Sequence, residues 1–393
     1  MLSFGTIIPD VQLRAERLVP TFPIPGLDAG LLIGLTIAVY SLVQFVCAPW
    51  LGRLSDQRGR RVVLLFTSAA AIVGAVVYAF SHTLPHMMLA SAIMWFSAAN
   101  LVVAYAYVAD SSTPEDRGKS MGLIGMAFGL GFMFGPPAGS FLVKWGGGEP
   151  FLLGMVSAGL ALVNLLFIFF FLPEVRNPSA KASTSTGQRF QLMARAFRSP
   201  GLGVLLAMFF VANVAFVNLE STFFRLGEVV YRIDQTQTSL VLVVVGITGA
   251  AVQGGLIRLL MPRFGEIRLL RTAYLAQAPC LLAFPYIMPW FPLLAVSVLL
   301  GIGSGLVQPS MTSLISKGAP PDLRGEIFGV TQSLGAIARM VMPIVANVLF
   351  NRHPAAPYWL AAGLFVFPAI AAWFVTMPTA EQDAEDAPTV VGH

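Results

Sequence analysis

Apolar runs of about 20 residues recur along almost the whole chain, and at ~1.5 Å per residue each is long enough as a helix to cross a ~30 Å hydrocarbon core. In lipid every backbone N–H and C=O must be satisfied within the fold, which leaves only helices or a closed barrel. The ten-residue alternation of barrel strands is missing from this sequence, so the runs read as spanning helices. They fall at approximately 30–50, 62–80, 87–109, 121–143, 151–172, 202–224, 238–261, 269–290, 291–315, 325–349 and 356–377. Ahead of them the apolar piece from Met1 to Pro9 is too short to span, and no small-residue cleavage site follows it. It reads as the second half of a twelfth helix, truncated at the N-terminus, or else as a surface segment. Only 11% of the residues are charged and 56% are hydrophobic, where a soluble domain carries roughly 25% charged residues.

When the connections are assigned alternately to the two sides of a membrane, seventeen Lys and Arg residues fall on one side and six on the other. Arg14, Arg17, Lys144, Arg225, Arg232 and Arg352 make up the smaller group, and Arg339 alone remains inside a span. The positive-inside rule then places the arginine-rich side, and with a complete first helix both termini, in the cytoplasm of an inner or plasma membrane. The chain divides into an N-terminal helical bundle (1–172), a polar cytoplasmic linker (173–200), a C-terminal bundle (201–377) and an acidic, disordered tail (378–393). Residues Phe190, Met193 and Phe197 with Arg189, Arg195 and Arg198 leave open an amphipathic surface helix within the linker. Basic residues are dispersed over short loops, which argues against nucleic-acid binding. Cys47 and Cys280 lie in different halves and read as free thiols.

The halves resemble one another. At an offset of 207, TPEDRGKSMG and PPDLRGEIFG superpose Arg117 on Arg324, Gly118 on Gly325 and Gly122 on Gly329, and Pro136 meets Pro343. At an offset of 206, Gly59 meets Gly265. The segment LGRLSDQRGRRVVLL, carrying Gly52, Leu54, Asp56, Gly59, Arg60 and Arg61, resembles the cytoplasmic signature of the major facilitator superfamily. YVADSSTPEDRGKSMG and GLGFMFGPPAG, the latter with Gly131, Gly135, Pro136 and Gly139, resemble the fourth and fifth helices of drug:proton antiporters, most closely the tetracycline-efflux branch. The resemblance implies an all-α membrane fold of two pseudo-symmetric six-helix bundles. It also implies a conformational latch in which Asp56 meets the start of the eleventh helix near Arg324 and Arg60 pairs with Asp110. The glycines of 131–139 repeat every four residues and line one helix face, as a close helix–helix seam requires. In the antiporters that face is held to seal the two halves, with Pro136 bending it.

Ionisable groups at membrane depth are costly, by ~2.5–3.5 kcal/mol on insertion scales, so each one retained is a functional candidate. Glu220 is the acid within a full span and Arg339 the deep cation, while Asp10 ends the short first segment. Gln332, Arg339 and Asn347 recur at about two-turn spacing on one helix face, as do Asn213 and Glu220 on another. With Gln44, Asn100, Ser304 and Gln308 they form the candidate substrate cavity, although a single Asn or Gln fits an interhelical hydrogen bond equally well. Glu220, one turn from the outer edge of its span, is alternatively a plain ion-pair partner of Arg225. Where the antiporters carry an early fourth-helix Arg, this chain has Ser91. Glu220 and Asp10 are then the remaining proton-carrier candidates, because a carboxyl withdrawn from water can exchange its proton near physiological pH.

The expected activity is secondary export of a small amphipathic or drug-like solute by alternating access in exchange for protons, carried out by a monomer in the lipid bilayer. Uptake by symport or uniport, and a transport-incompetent sensor or scaffold, are the alternatives. The histidines His82, His86, His353 and His393 sit in loops or at the terminus, so neither an intramembrane hydrolase nor a metal site is expected, and no cofactor is implied. No phosphate-cradling GxxxxGK[ST] occurs, which argues against an ATP-driven pump.

Overall fold

A computed structural model of the chain describes residues 2–22, 24–111, 117–174, 194, 197, 201–287, 290–319 and 324–375, and their side chains except at 2–4, 109, 117–126, 128, 129, 132, 290 and 324–326. Among the described residues the regular structure is entirely helical. The first half is built from α1 (Leu2–Leu18), α2 (Ala29–Arg58), α3 (Arg60–Ala79), α4 (Leu84–Ala98) continued by α5 (Leu101–Ser111), α6 (Arg117–Trp145) and α7 (Pro150–Phe171). In the second half are α8 (Leu202–Leu226), α9 (Gln235–Ala251) continued by α10 (Ile257–Phe264), α11 (Glu266–Ala283), α12 (Trp290–Gly318), α13 (Arg324–Arg352) and α14 (Ala356–Phe374). A π-helical turn, Gly227–Tyr231, lengthens α8, and a second, Val252–Leu256, joins α9 to α10. Nine of the described helices are long and apolar enough to cross a membrane.

The repeat seen in the sequence extends to element boundaries. Ala29 and Arg58 of α2 map at an offset of 206 onto Gln235 and Phe264, the bounds of α9 and α10, and Arg117 and Trp145 of α6 map at 207 onto Arg324 and Arg352 of α13. Gly59 and Gly265 both adopt positive φ, 102° and 73°, a conformation that only glycine takes without strain, and each sets the sharp turn into the next helix. Across the halves α2 packs on α13 and α6 packs on α9. The repeat exchanges these two interfaces, as a two-fold relation between the bundles demands. Within the halves, α3 packs on α4 and α7, and α11 correspondingly packs on α12 and α14.

Two features differ from the sequence reading. Helix α1 does not stop near Asp10 but continues to Leu18, because the polar stretch after Pro9 is neutralised by partners: Asp10 bridges Arg14 one turn on at 2.8 Å, and Glu16 bridges Arg225 at 2.9 Å. The seam glycines also face a different neighbour. Gly131 and Gly135 lie against Gly5 of α1, and a side chain on Gly139 would overlap the Thr6 carbonyl, so the face closes α6 onto α1 within one half. What α6 offers to the other half is the Pro136 carbonyl, which accepts from the Ser239 hydroxyl at 3.2 Å, and Ser140, which bonds Ser239 at 2.6 Å. The linker from residue 175 to 193, the acidic tail and the loop at 112–116 lie outside the described residues.

Candidate functional site

At the middle of the bundle, three helices from the two halves bring a tyrosine, an acid and an arginine together. Arg339 sits midway along α13 and interacts electrostatically with Glu220 of α8 and with Tyr40 of α2. Tyr40 is held by Trp95 of α4, their ring centroids 4.0 Å apart. Room for Arg339 to lie back along its own helix comes from Gly335, one turn earlier, whose missing side chain would stand 3.3 Å from Nη1. The Gln12 amide of α1 donates to the Glu220 carbonyl at 3.0 Å. Helix α8 and its π-turn continue to Tyr231, so Glu220 lies about three turns from the end of the rod rather than one. Its electrostatic partner is Arg339 and not Arg225, which is bonded elsewhere.

The remaining sequence candidates divide. Gln44 lies one turn from Tyr40 on α2, and Gln332 and Gln308 are exposed. Gln308 lines a 640 Å³ cavity at the arginine-rich end together with Gln253, Thr312, Ser316, Lys317 and Phe328. Asn213 and Ser304 spend their hydrogen bonds on their own helices, with Phe209 at 2.8 Å and Leu300 at 2.6 Å. Asn100 donates to Thr67 at 3.1 Å, joining the α4–α5 break to α3 inside the first half. Asn347 is fully buried and accepts from Arg225 at 2.9 Å, which removes it from the cavity lining. Asp10 is buried as well: it takes bonds from Arg14 Nε and from the Tyr78 hydroxyl, both at 2.8 Å, and Arg14 also reaches the Gly148 carbonyl at 2.9 Å. Among the described residues no group of three His, Cys, Asp or Glu side chains is arranged to hold a metal ion.

At the arginine-rich end Arg60 is buried between Asp56 and Asp110, the latter at 3.1 Å, and also donates to Ser55. Gly52 approaches Val102 of α5, and Arg61 stacks over Phe169 while its backbone N–H, at the start of α3, donates to Glu174 at 3.2 Å. No helical periodicity points to Glu174 as a partner, since it follows α7 in a loop. The side chain of Arg324, the expected partner of Asp56, lies outside the described ones. The second half repeats the arrangement with reversed charge. Arg60 corresponds at 206 to Glu266 and Asp110 at 207 to Lys317, and Glu266 bridges Lys317 and accepts from Ser313 at 3.0 Å. Arg60→Ala leaves two neighbouring acids without their counter-charge, and is expected to lower unfolding stability by ~3 kcal/mol, with Arg60→Lys intermediate, in thermal unfolding of detergent-purified protein.

Known proteins share this architecture. The Major Facilitator Superfamily model matches residues 18–343. Major facilitator superfamily domain-containing protein 10 of Bos taurus is 31% identical over 371 residues, covering 87% of this chain and 76% of that one. Tetracycline resistance protein, class C, of Escherichia coli is 29% identical over 331 residues, covering 81% and 79%. Among solved structures, the human organic anion transporter MFSD10 superposes with a TM-score of 0.66 at 26% identity, over 94% of this chain and 95% of that one. The xylose transporter XylE of E. coli, in an inward-open conformation, has the same fold, with a TM-score of 0.73 at 18% identity over 96% and 94%. The family match over most of the chain, together with two six-rod halves related by a two-fold repeat, shows that the chain belongs to the Major Facilitator Superfamily.

Proposed function

We propose that this transporter exports a small amphipathic solute bearing an anionic group in exchange for protons, by alternating access through the cleft between its halves. The observation that carries the reading is Arg339 at mid-membrane depth, set between the halves beside Glu220 and Tyr40. Its guanidinium offers a forked donor set to a carboxylate or other oxyanion, and Tyr40 with Trp95 supplies an aromatic wall for the apolar part. The relatives described as an organic anion transporter and as tetracycline resistance proteins support the same chemistry. Charge asymmetry of the loops supports an inner or plasma membrane with the arginine-rich end in the cytoplasm.

Glu220 is the proton carrier in this scheme. It and an anionic solute compete for Arg339, so solute binding frees the carboxylate to accept a proton and solute release restores the pair. Asp10, engaged by both Arg14 and Tyr78, acts as a brace. Glu220→Gln is expected to abolish pH-gradient-driven flux in vesicles while solute exchange at equal pH persists; unchanged gradient-driven flux removes Glu220 from the coupling step. A second reading, uptake by symport or uniport, draws on Ser91, a buried hydroxyl where the antiporters carry arginine. Accumulation of a fluorescent organic anion that rises, rather than falls, in cells expressing the protein selects it.

A further inference from the structure

We propose that Arg225 and Glu16 form the latch that holds the arginine-poor end of the cleft shut, with Arg225 kept in a socket of the second half and Glu16 the partner it releases when that end opens. The inference rests on the alternating-access reading above. Arg225 is buried in α8, its side chain 4% exposed, and all three of its guanidinium nitrogens are hydrogen-bonded. Nε and Nη2 grip the two carboxylate oxygens of Glu16, on α1 of the opposite half, at 2.9 and 3.0 Å, the bidentate geometry that arginine alone supplies. The other bonds stay within the second half: Nη1 to Asn347 at 2.9 Å and Nη2 to Asn351 at 2.8 Å, with the cation 4.5 Å above the Phe350 ring. All three partners belong to α13.

This division of partners makes the bond reversible. When the halves separate, Arg225 keeps its two amides and its aromatic face, so no bare charge is stranded, and Glu16, already 37% exposed, returns to water at little cost. Asn347 is itself fixed by donating to the Pro343 carbonyl at 2.8 Å, which orients its oxygen toward Arg225. A second tie crosses nearby: Asn351 donates at 2.9 Å to Asp28, the residue that caps α2. Beneath these ties α2 meets α13 backbone to backbone, where side chains on Gly30 or Gly34 would overlap Asn347 and Pro343, so the interface is either fully closed or parted. The bridges Arg17–Glu228 at 3.3 Å and Lys144–Asp234 at 3.2 Å also cross the halves but are about half or more exposed and add little.

The latch shares its two helices with the polar cluster. Arg225 follows Glu220 by five residues on α8, and Asn347 follows Arg339 by eight on α13, so a movement of these two helices together against α1, as Glu220 and Arg339 exchange solute and proton, reaches the latch directly. The test places spin labels at His82 and Arg352, exposed residues at the arginine-poor ends of the two halves, in protein with Cys47 and Cys280 replaced by Ser and reconstituted in lipid. Glu16→Gln is expected to raise the ratio of long to short inter-label distances about tenfold, and Arg225→Lys, which cannot make the fork, to move it in the same direction. Unchanged distance distributions in both variants, with unfolding temperatures like the parent's, overturn the latch. Because the distances are read without solute, absence of solute export by the parent alongside a normal distance shift in the variants counts against the export reading and upholds the latch, whereas loss of flux in the variants with no shift overturns the latch.

Discussion

Arg339→Gln is expected to lower solute flux in reconstituted vesicles roughly 100-fold, in gradient-driven transport and in exchange at equal pH alike. A hydrogen bond to a charged group contributes about 1.5–3 kcal/mol, and here the loss falls on the site where solute and proton meet, next to Glu220. Glutamine keeps some hydrogen bonding but is shorter by about two atoms and uncharged, so the substitution removes both the charge and the reach of the fork. Arg339→Lys restores the charge without the planar fork and is expected to recover only part of the flux. Gly335 contributes to the same site, because its missing side chain gives the guanidinium its place along α13. Flux in Arg339→Gln within threefold of the parent contradicts the assignment of Arg339 to the solute.

Gly139→Leu carries the largest expected loss of stability. A side chain at 139 meets the Thr6 carbonyl and backbone of α1, which cannot move aside as a flexible side chain does, and the neighbouring Gly135 already packs on Gly5. Overpacking a close seam costs about 1–3 kcal/mol where neighbours yield and more where backbone is struck, so ~3 kcal/mol or greater is expected. Size-exclusion chromatography of detergent extracts should show loss of the folded peak. Gly159→Leu, on α7 where nothing lies within 4 Å, is the control and is expected to behave as the parent.

How far the sequence reveals this molecule depends on which signal each feature leaves. The spans were legible because a 20-residue apolar run has few alternatives in lipid, and the repeat was legible through its glycines, Gly59 with Gly265 and Gly118 with Gly325. The polar half of α1 was not, because Asp10, Arg14, Glu16 and Arg17 read as loop until their partners in space are known. Glu220 and Arg339 stood out as rare membrane charges, yet the pairing of Glu220 with Arg225 failed for a geometric reason. Five residues along a helix turn the side chain through about 140°, so the two point to different neighbours. Asn347, eight residues from Arg339, is likewise rotated by about 80° and turns into the Arg225 socket. The reversed-charge repeat of Arg60–Asp110 in Glu266–Lys317 escaped a comparison that looks for identical residues, since only the interaction is kept and not the side chains.

One polar cleft between two halves, reached from one side of the membrane at a time, is the claim on which this account turns. A single cysteine placed by Gln44→Cys, one turn from Tyr40 toward the arginine-rich end, in protein with Cys47 and Cys280 replaced by Ser, reports it through its reaction with a membrane-impermeant thiol reagent added to either side of oriented vesicles. Rapid labelling from the arginine-rich side and slow labelling from the other is expected, with Glu16→Gln raising the second rate and lowering the first together. Labelling equally fast from both sides, or from neither, contradicts alternating access through this cleft.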